Sequence, residues 1–321
     1  MPYANTAAVS RPEISVFLEE AIAAERYFIG QLIMPIFTSK ARAGRYPRIK
    51  IEGGELLKAQ STRRGPTGTY NEVTRRFEWD TYDCQDRGLE ERVDDAISRE
   101  MADFFDAEVL TGKLVTRGVM LDYEIRVAGA VMNSGNFTAT NGSVVYSEAN
   151  IATIDFPKDL MEAKERLTRK AQIPNTLILS ESAFNRIRRS TKLQTFLYGT
   201  LGQGTAYRLV NPEDIAKAFL IERVVVASAT YDSSAKGATA ATLIPIWGND
   251  YMFLGNVQGG DFSAGGVGRT IVWGADCPGG LVVTETYRAE NRRGDMVRVR
   301  QNTAEKIIDS TAGELVATRW A

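Results

Sequence analysis

The stretch GLEERVDDAISREMADFFDAEVLTGKLVTRGVMLDYEIRVAGAVM, Gly88 to Met132, decides how the rest of the chain is read. Apolar side chains recur at Leu89, Val93, Ile97, Met101, Phe105 and Val109, with Ala96 and Phe104 in the neighbouring rows. That spacing predicts an amphipathic helix. Glu90, Arg92, Asp94, Asp95, Arg99, Glu100, Asp103 and Asp106 fill the other faces. A strict step of four drifts by roughly 40° per repeat around a straight helix, so the stripe winds and meets more than one partner element. Helical throughout, the stretch would span on the order of 65 Å. Gly112 and Gly118 each cost about 1 kcal/mol against Ala in a helix interior and mark expected bends.

Composition bounds what surrounds this stretch. The 321 residues are 44% hydrophobic and 25% charged, the balance of a globular protein of one elaborate domain or two. With 39 basic and 40 acidic residues the net charge is -1, so bulk charge does not drive binding to nucleic acid. Arg outnumbers Lys, 28 to 11, and Arg is the better partner for planar ion pairs at interfaces. There is no histidine, which removes the commonest general base and metal ligand. Cys84 and Cys277 stand far apart with no CxxC pattern, and read as reduced thiols of a cytosolic protein. The N-terminal residues lack a signal-peptide pattern, and no apolar run reaches the roughly 18 residues of a membrane span.

Met1 to Ser10 reads as a mobile arm. Ser10 and Pro12 can open a helix with an apolar face of Val16, Phe17, Ala21, Ala24, Tyr27 and Phe28, ending before Pro35. A long hairpin follows: a first arm from Ile49 to Gln60, a tip from Ser61 to Thr69, and a return arm from Tyr70 to Tyr82. On the return arm Val73, Phe77 and Trp79 share one face. A two-stranded ribbon is marginal on its own in water, so Phe77 and Trp79 need a surface. After the Gly88–Met132 stretch, a short strand is expected through Val144, Val145 and Tyr146. Asp155 with Pro157 opens a helix whose buried row is Leu160, Ala163 and Leu167, with Lys164 beside it facing water. A strand from Thr176 to Leu179, a helix from Ser180 to Ser190, and a helix opened by Asn211 and Pro212 come next. The strand RVVVASATY and two strands around Gly248 complete an α/β region of mixed sheet. Gly255 to Arg269 reads as a flexible glycine-rich loop, and the last part is β-rich, with a hairpin turn at Gly294 and Asp295.

The chemistry-bearing motifs are weak. LGQGTAYR and GGVGR hold partial GxG patterns without the strand and helix a phosphate cradle needs. The acidic cluster Glu90, Glu91, Asp94 and Asp95 fits a solvated helix N-terminus better than a cation site. Without histidine no Ser-His-Asp arrangement exists. No catalytic, cofactor-binding or metal-ligating residues are expected.

The order of parts is more informative. An arm and helix, an extended hairpin, a very long helix, an α/β region and returning β structure together resemble the major capsid protein of tailed bacteriophages, the Hong Kong ninety-seven bacteriophage fold. IPNTLILSESAFNRIRRS (Ile173 to Ser190), RVVVASATY, IPIWGNDYMFLGN and ETYRAENRRGDMVRVRQN carry the local likeness. The resemblance implies an α+β capsid fold: N-terminal arm and helix at 1–48, extended loop at 49–83, peripheral domain with the spine helix at 84–170 and 257–321, and axial domain at 171–256. It implies a non-enzymatic shell protein of the virion, assembled in the host cytoplasm as pentamers and hexamers, without a membrane. Packaged double-stranded DNA held without sequence specificity, and portal, scaffolding and decoration proteins, are the implied partners. Ile49 comes early in the chain, so a separate scaffolding protein is implied, or none. In this family the extended loop crosses an adjacent subunit, so Arg63, Arg64, Phe77 and Trp79 become expected inter-subunit contacts, and the Arg excess serves ion pairs between subunits. The rivals are an encapsulin-like compartment shell and an α/β enzyme with an inserted hairpin.

Overall fold

The structure is a computed structural model that describes residues 9–10, 28–48, 59, 62–64, 68–70, 78–101, 106–199, 209–278 and 280–319. The expected N-terminal helix and the first arm and much of the tip of the hairpin fall largely outside these residues. Ser10 itself lies in a strand, β1 (Val9–Ser10), and a short helix, α1 (Gly30–Ile33), ends just before Pro35.

The Gly88–Met132 stretch is not one helix. Its first part is a strand, β5 (Gln85–Asp94), paired along its length with β14 (Gly294–Ile307). The reason lies in the spacing itself. A step of four is even, so Leu89 and Val93 share a face of a strand as well as of a helix. The ladder to β14 decides between the two. A short helix follows, α2 (Asp95–Met101). The long helix, α3 (Ala107–Val131), has 25 residues and spans about 38 Å. The Asp106 carboxylate caps it, accepting from the Glu108 and Val109 amides at 2.9 and 3.3 Å. The helix runs unbroken through Gly112 and Gly118. Gly118 is there for packing: a Cβ at that position would stand 2.8 Å from Leu89 Cδ1, so its absence lets β5 lie against the helix.

Two sheets flank α3. The six-stranded sheet runs β1, β13 (Val283–Ala289), β14, β12 (Gly268–Trp273), β2 (Ile36–Ser39), with β5 on the free edge of β14. The five-stranded sheet runs β6 (Thr138–Asn141), β15 (Gly313–Ala317), β11 (Tyr251–Gly255), β7 (Thr176–Ser180), β8 (Arg223–Ala227). It therefore draws strands from 138–141 and 313–317 as well as from the expected α/β region. Ile178 faces the core around α3, with Val119, Tyr123, Val127 and Phe253. Leu177 and Leu179 face a second core built on α4 (Phe156–Arg169), α5 (Glu181–Ile187) and α7 (Pro212–Phe219). A strand covered on both faces reads as a continuous apolar run, which is why TLILS was legible.

The caps at Asp155 and Asn211 hold as expected, and Ser180 adds a third. Asp155 accepts from Lys158 N, Ser180 from Ala183 N, and Asn211 forms a capping box with Asp214. Four details differ. The segment Val144–Tyr146 is not a strand; Tyr146 is buried with its hydroxyl donating to Asp159 at 2.7 Å. Lys164 does not point to water but donates to the Phe219 carbonyl at 2.7 Å. A further helix, α6 (Thr191–Tyr198), follows α5. The late hairpin turns over Glu290–Arg293, with Gly294 already paired to Ala289.

Candidate subunit-contact surface

The base of the expected hairpin is a two-stranded ribbon, β3 (Ala43–Arg48) with β4 (Glu78–Asp83), which among the described residues pair only with each other. Its root is fastened to the body. Tyr46 is buried, and its hydroxyl donates to Asp80 at 3.1 Å and to the Ile307 carbonyl at 3.4 Å. Burial, and the Asp80 carboxylate next, push the Tyr46 hydroxyl pKa well up. Arg48 donates through Nε to the Ile308 carbonyl at 2.7 Å and pairs with Asp80 at 3.4 Å. Partial burial opposes ionisation of Asp80, but the Thr81 amide, Tyr46 and Arg48 outweigh it and hold its carboxyl below the usual range. Phe262 stacks on Tyr46 with ring centres 5.0 Å apart and meets Phe37 edge-on at 4.6 Å.

Beyond the root the apolar cover ends. Trp79 is 64% exposed, opposite Pro47 in the register. At the tip Arg63 is exposed. Arg64 donates to the Gly68 carbonyl at 2.7 Å and lies 5.0 Å over the ring of Tyr70, itself 73% exposed. Phe77 lies outside the described residues. Of the expected contact residues only Trp79 lies on the described ribbon; Arg63 and Arg64 stand in a separate described segment, and Arg64 already has partners within the chain.

Other surfaces qualify the expectation for arginine. Arg288, Arg298 and Arg300 form a ladder on the six-stranded sheet of one chain. Arg298 meets Glu90 at 2.9 Å, Arg300 meets Glu285 at 2.8 Å and Asp276 at 2.6 Å, and Arg288 meets Asp95 at 2.5 Å. Much of the arginine in the β-rich part therefore serves within the subunit. The Arg298 guanidinium holds the Glu90 carboxyl below its ordinary range, and that of Arg288 does the same for Asp95. A second apolar surface is formed by exposed Leu110 and Leu114 on α3 beside exposed Leu89 on β5.

Sequence reasoning missed the polar group at the centre of the molecule. Glu124 of α3 is fully buried. Its carboxylate accepts from the Ile29 amide at 2.8 Å, the Gly30 amide at 2.8 Å and the Trp247 indole at 2.7 Å. Burial raises its pKa, and these three donors oppose the rise. It ties the chain before α1 and the turn after β10 (Leu243–Pro245) to the long helix. Reading Glu124 as an interior helix position in an apolar row was the available signal. An open groove of about 670 Å³ between α4 and α6 is lined by Pro157, Met161, Thr195 and Phe196. Its Asp155 is paired with Lys192 at 2.8 Å. Among the described residues no three His, Cys, Asp or Glu side chains gather to hold a metal, and no helix is long and apolar enough to cross a membrane. Chemically, these surfaces offer packing and ion pairing.

No protein-family model matches the chain, and no curated protein matches it. Solved structures do. A phage-related protein from Bordetella bronchiseptica aligns over 97% of this chain and 97% of its own, with a TM-score of 0.70 at 19% identity. A virus-like particle from Pyrococcus furiosus aligns over 95% of this chain and 97% of its own, with a TM-score of 0.57 at 12% identity. The mature capsid of bacteriophage PhiM1 aligns over 90% of this chain and 86% of its own, with a TM-score of 0.55 at 11% identity. At such identities the likeness is one of shape, and it spans both sheets and the long helix: the chain has the Hong Kong ninety-seven bacteriophage capsid fold.

Proposed function

We propose that the chain is the major capsid protein of a tailed bacteriophage, a shell protein whose pentamers and hexamers close into an icosahedral head around double-stranded DNA. The observation that carries this reading is the ribbon β3–β4, which leaves the core of a capsid fold and leaves Trp79 64% exposed among the described residues. Heterologous contacts of such a ribbon with the next copy generate rings. Arg63, Arg64, Phe77 and Trp79 are the residues assigned to that contact. The work of the protein is packing and not catalysis, its place is the virion, and assembly takes place in the host cytoplasm. The ranges 84–170 with 257–321 and 171–256 are retained as peripheral and axial domain, while the extended loop of 49–83 is widened to take in β3 (Ala43–Arg48), which shortens the arm of 1–48 to 1–42. Portal, scaffolding and decoration proteins remain the expected further partners.

DNA is held by the closed wall more than by each subunit. A net charge of -1 gives the isolated chain little salt-dependent affinity for duplex DNA. Electron microscopy of the purified protein at high concentration, with a scaffolding protein supplied, tests the reading. Closed shells are expected. A monomer or small oligomer under all such conditions contradicts it and favours an enzyme with an inserted ribbon. Nucleic acid extracted from native particles separates a virion from a compartment shell, which would hold cargo protein in its place.

A further inference from the structure

The glycine-rich loop between β11 and β12 was expected to be flexible, and its centre is instead a buried cation. Arg269 is fully buried. Its guanidinium donates to five backbone carbonyls: Gly260 at 3.3 Å, Gly268 at 2.9 Å, Gly259 at 3.5 Å, Asp261 at 3.3 Å and Gly265 at 2.9 Å. Its hydrogen-bond partners are carbonyls and not a carboxylate. Turning those carbonyls inward requires left-handed backbone, and Gly260 and Gly265 supply it at φ 88° and 67°. A planar fork of five N–H groups is the side chain suited to this task. Asp261 closes the turn by accepting from the Ser263 amide at 3.0 Å. The one large side chain that the wrapped loop presents is Phe262, and it lies on Tyr46 and Phe37 at the root of the ribbon.

We propose that Arg269 is a positioning residue for the extended ribbon: it gathers the loop, the loop holds Phe262, and Phe262 against Tyr46 sets the direction in which β3–β4 leaves the body. Tyr46 is the link because its ring faces Phe262 while its hydroxyl bonds Asp80, its partner across the ribbon. Arg48 holds the same strand to the Ile308 carbonyl. The importance of that direction for shell formation rests on the capsid reading. The positioning itself does not.

The test uses the full-length chain with spin labels on two introduced cysteines, Thr81→Cys on β4 of the ribbon and Thr168→Cys on α4, both exposed positions. Cys84 and Cys277 are buried and take no label in the folded protein. The unmodified root should give one narrow distance distribution. Phe262→Ala and Arg269→Met should each broaden it roughly twofold, since an aromatic pair or its support is lost. Arg269→Lys should fall between, because an ammonium reaches fewer of the carbonyls. Circular dichroism checks that each variant is folded. Distributions unchanged in both Phe262→Ala and Arg269→Met overturn the proposal. Where Arg269→Met does not fold, Phe262→Ala decides by the same criterion. A broadened distribution in a protein that forms no shells supports the positioning and sinks the capsid reading, so the two failures are distinct.

Discussion

Two tryptophans mark the difference between the body and the ribbon. Trp247 is 1% exposed, packed in the core around α3, with its indole N–H donating to Glu124. Trp79 is 64% exposed on β4. Around α3 the body meets its own needs: the core is closed over Trp247, and the buried carboxylate has three donors. The ribbon does not, beyond its root. A large apolar side chain gains roughly 1.5–3 kcal/mol when fully buried, and for Trp79 that gain is still to be had. The contrast teaches where to look for a partner surface.

The strongest way to break this contrast is to truncate both indoles. Trp247→Ala should destabilise the isolated subunit by about 3–5 kcal/mol, measured by urea unfolding, because it opens a cavity and takes a donor from Glu124. Trp79→Ala should change it by less than about 0.5 kcal/mol. Equal losses would place the ribbon inside the core. Glu124→Leu sharpens the same point from the other side. It leaves the Ile29 and Gly30 amides and the Trp247 indole without an acceptor, and should cost about 2–4 kcal/mol. A neutral outcome would mean that those donors find other acceptors.

The arginine ladder gives a smaller effect with a defined pH dependence. Arg300→Ala should lower stability at neutral pH by about 1–2 kcal/mol, since partly buried charged hydrogen bonds to Glu285 and Asp276 are lost. Burial opposes ionisation of Asp276, but Asn302 and Arg300 outweigh it and depress its folded pKa. That contribution is present above the ordinary carboxylate range and is lost as pH falls through the depressed value. The difference between Arg300→Ala and the parent should therefore shrink at acid pH, and a difference independent of pH would contradict the assignment. The smallest effect concerns the thiols. Burial pushes both Cys84 and Cys277 up to about 11, so at pH 8 both should react slowly with a thiol reagent in the folded protein and promptly in urea.

Local chemistry made much of the fold legible. Asp155 with Pro157 and Asn211 with Pro212 announce helix starts because capping needs those residue types at those positions. TLILS announces a strand covered on both sides. What the sequence could not settle was whether Leu89 and Val93 belong to a helix or a strand, because an even spacing satisfies both periods, and only the distant β14 chooses. The wrapped loop was hidden for a similar reason. Glycine richness signals freedom, and the arginine that removes it bonds to backbone, which leaves no side-chain pattern to read. Alternation along the return arm singled out Trp79, and the structure shows it exposed on β4. Tyr46 and Phe262 were missed because their partnership spans more than two hundred residues.

The central claim is that the ribbon is a contact between copies and not part of the subunit core. Sedimentation velocity of the parent and Trp79→Ala proteins, run side by side under assembling conditions, tests it most directly. The account predicts that the parent sediments as closed shells, while Trp79→Ala, folded by circular dichroism, stays largely as free subunits or gives shells that dissociate at lower denaturant. A Trp79→Ala protein that assembles with the same yield and the same shell stability as the parent would contradict it.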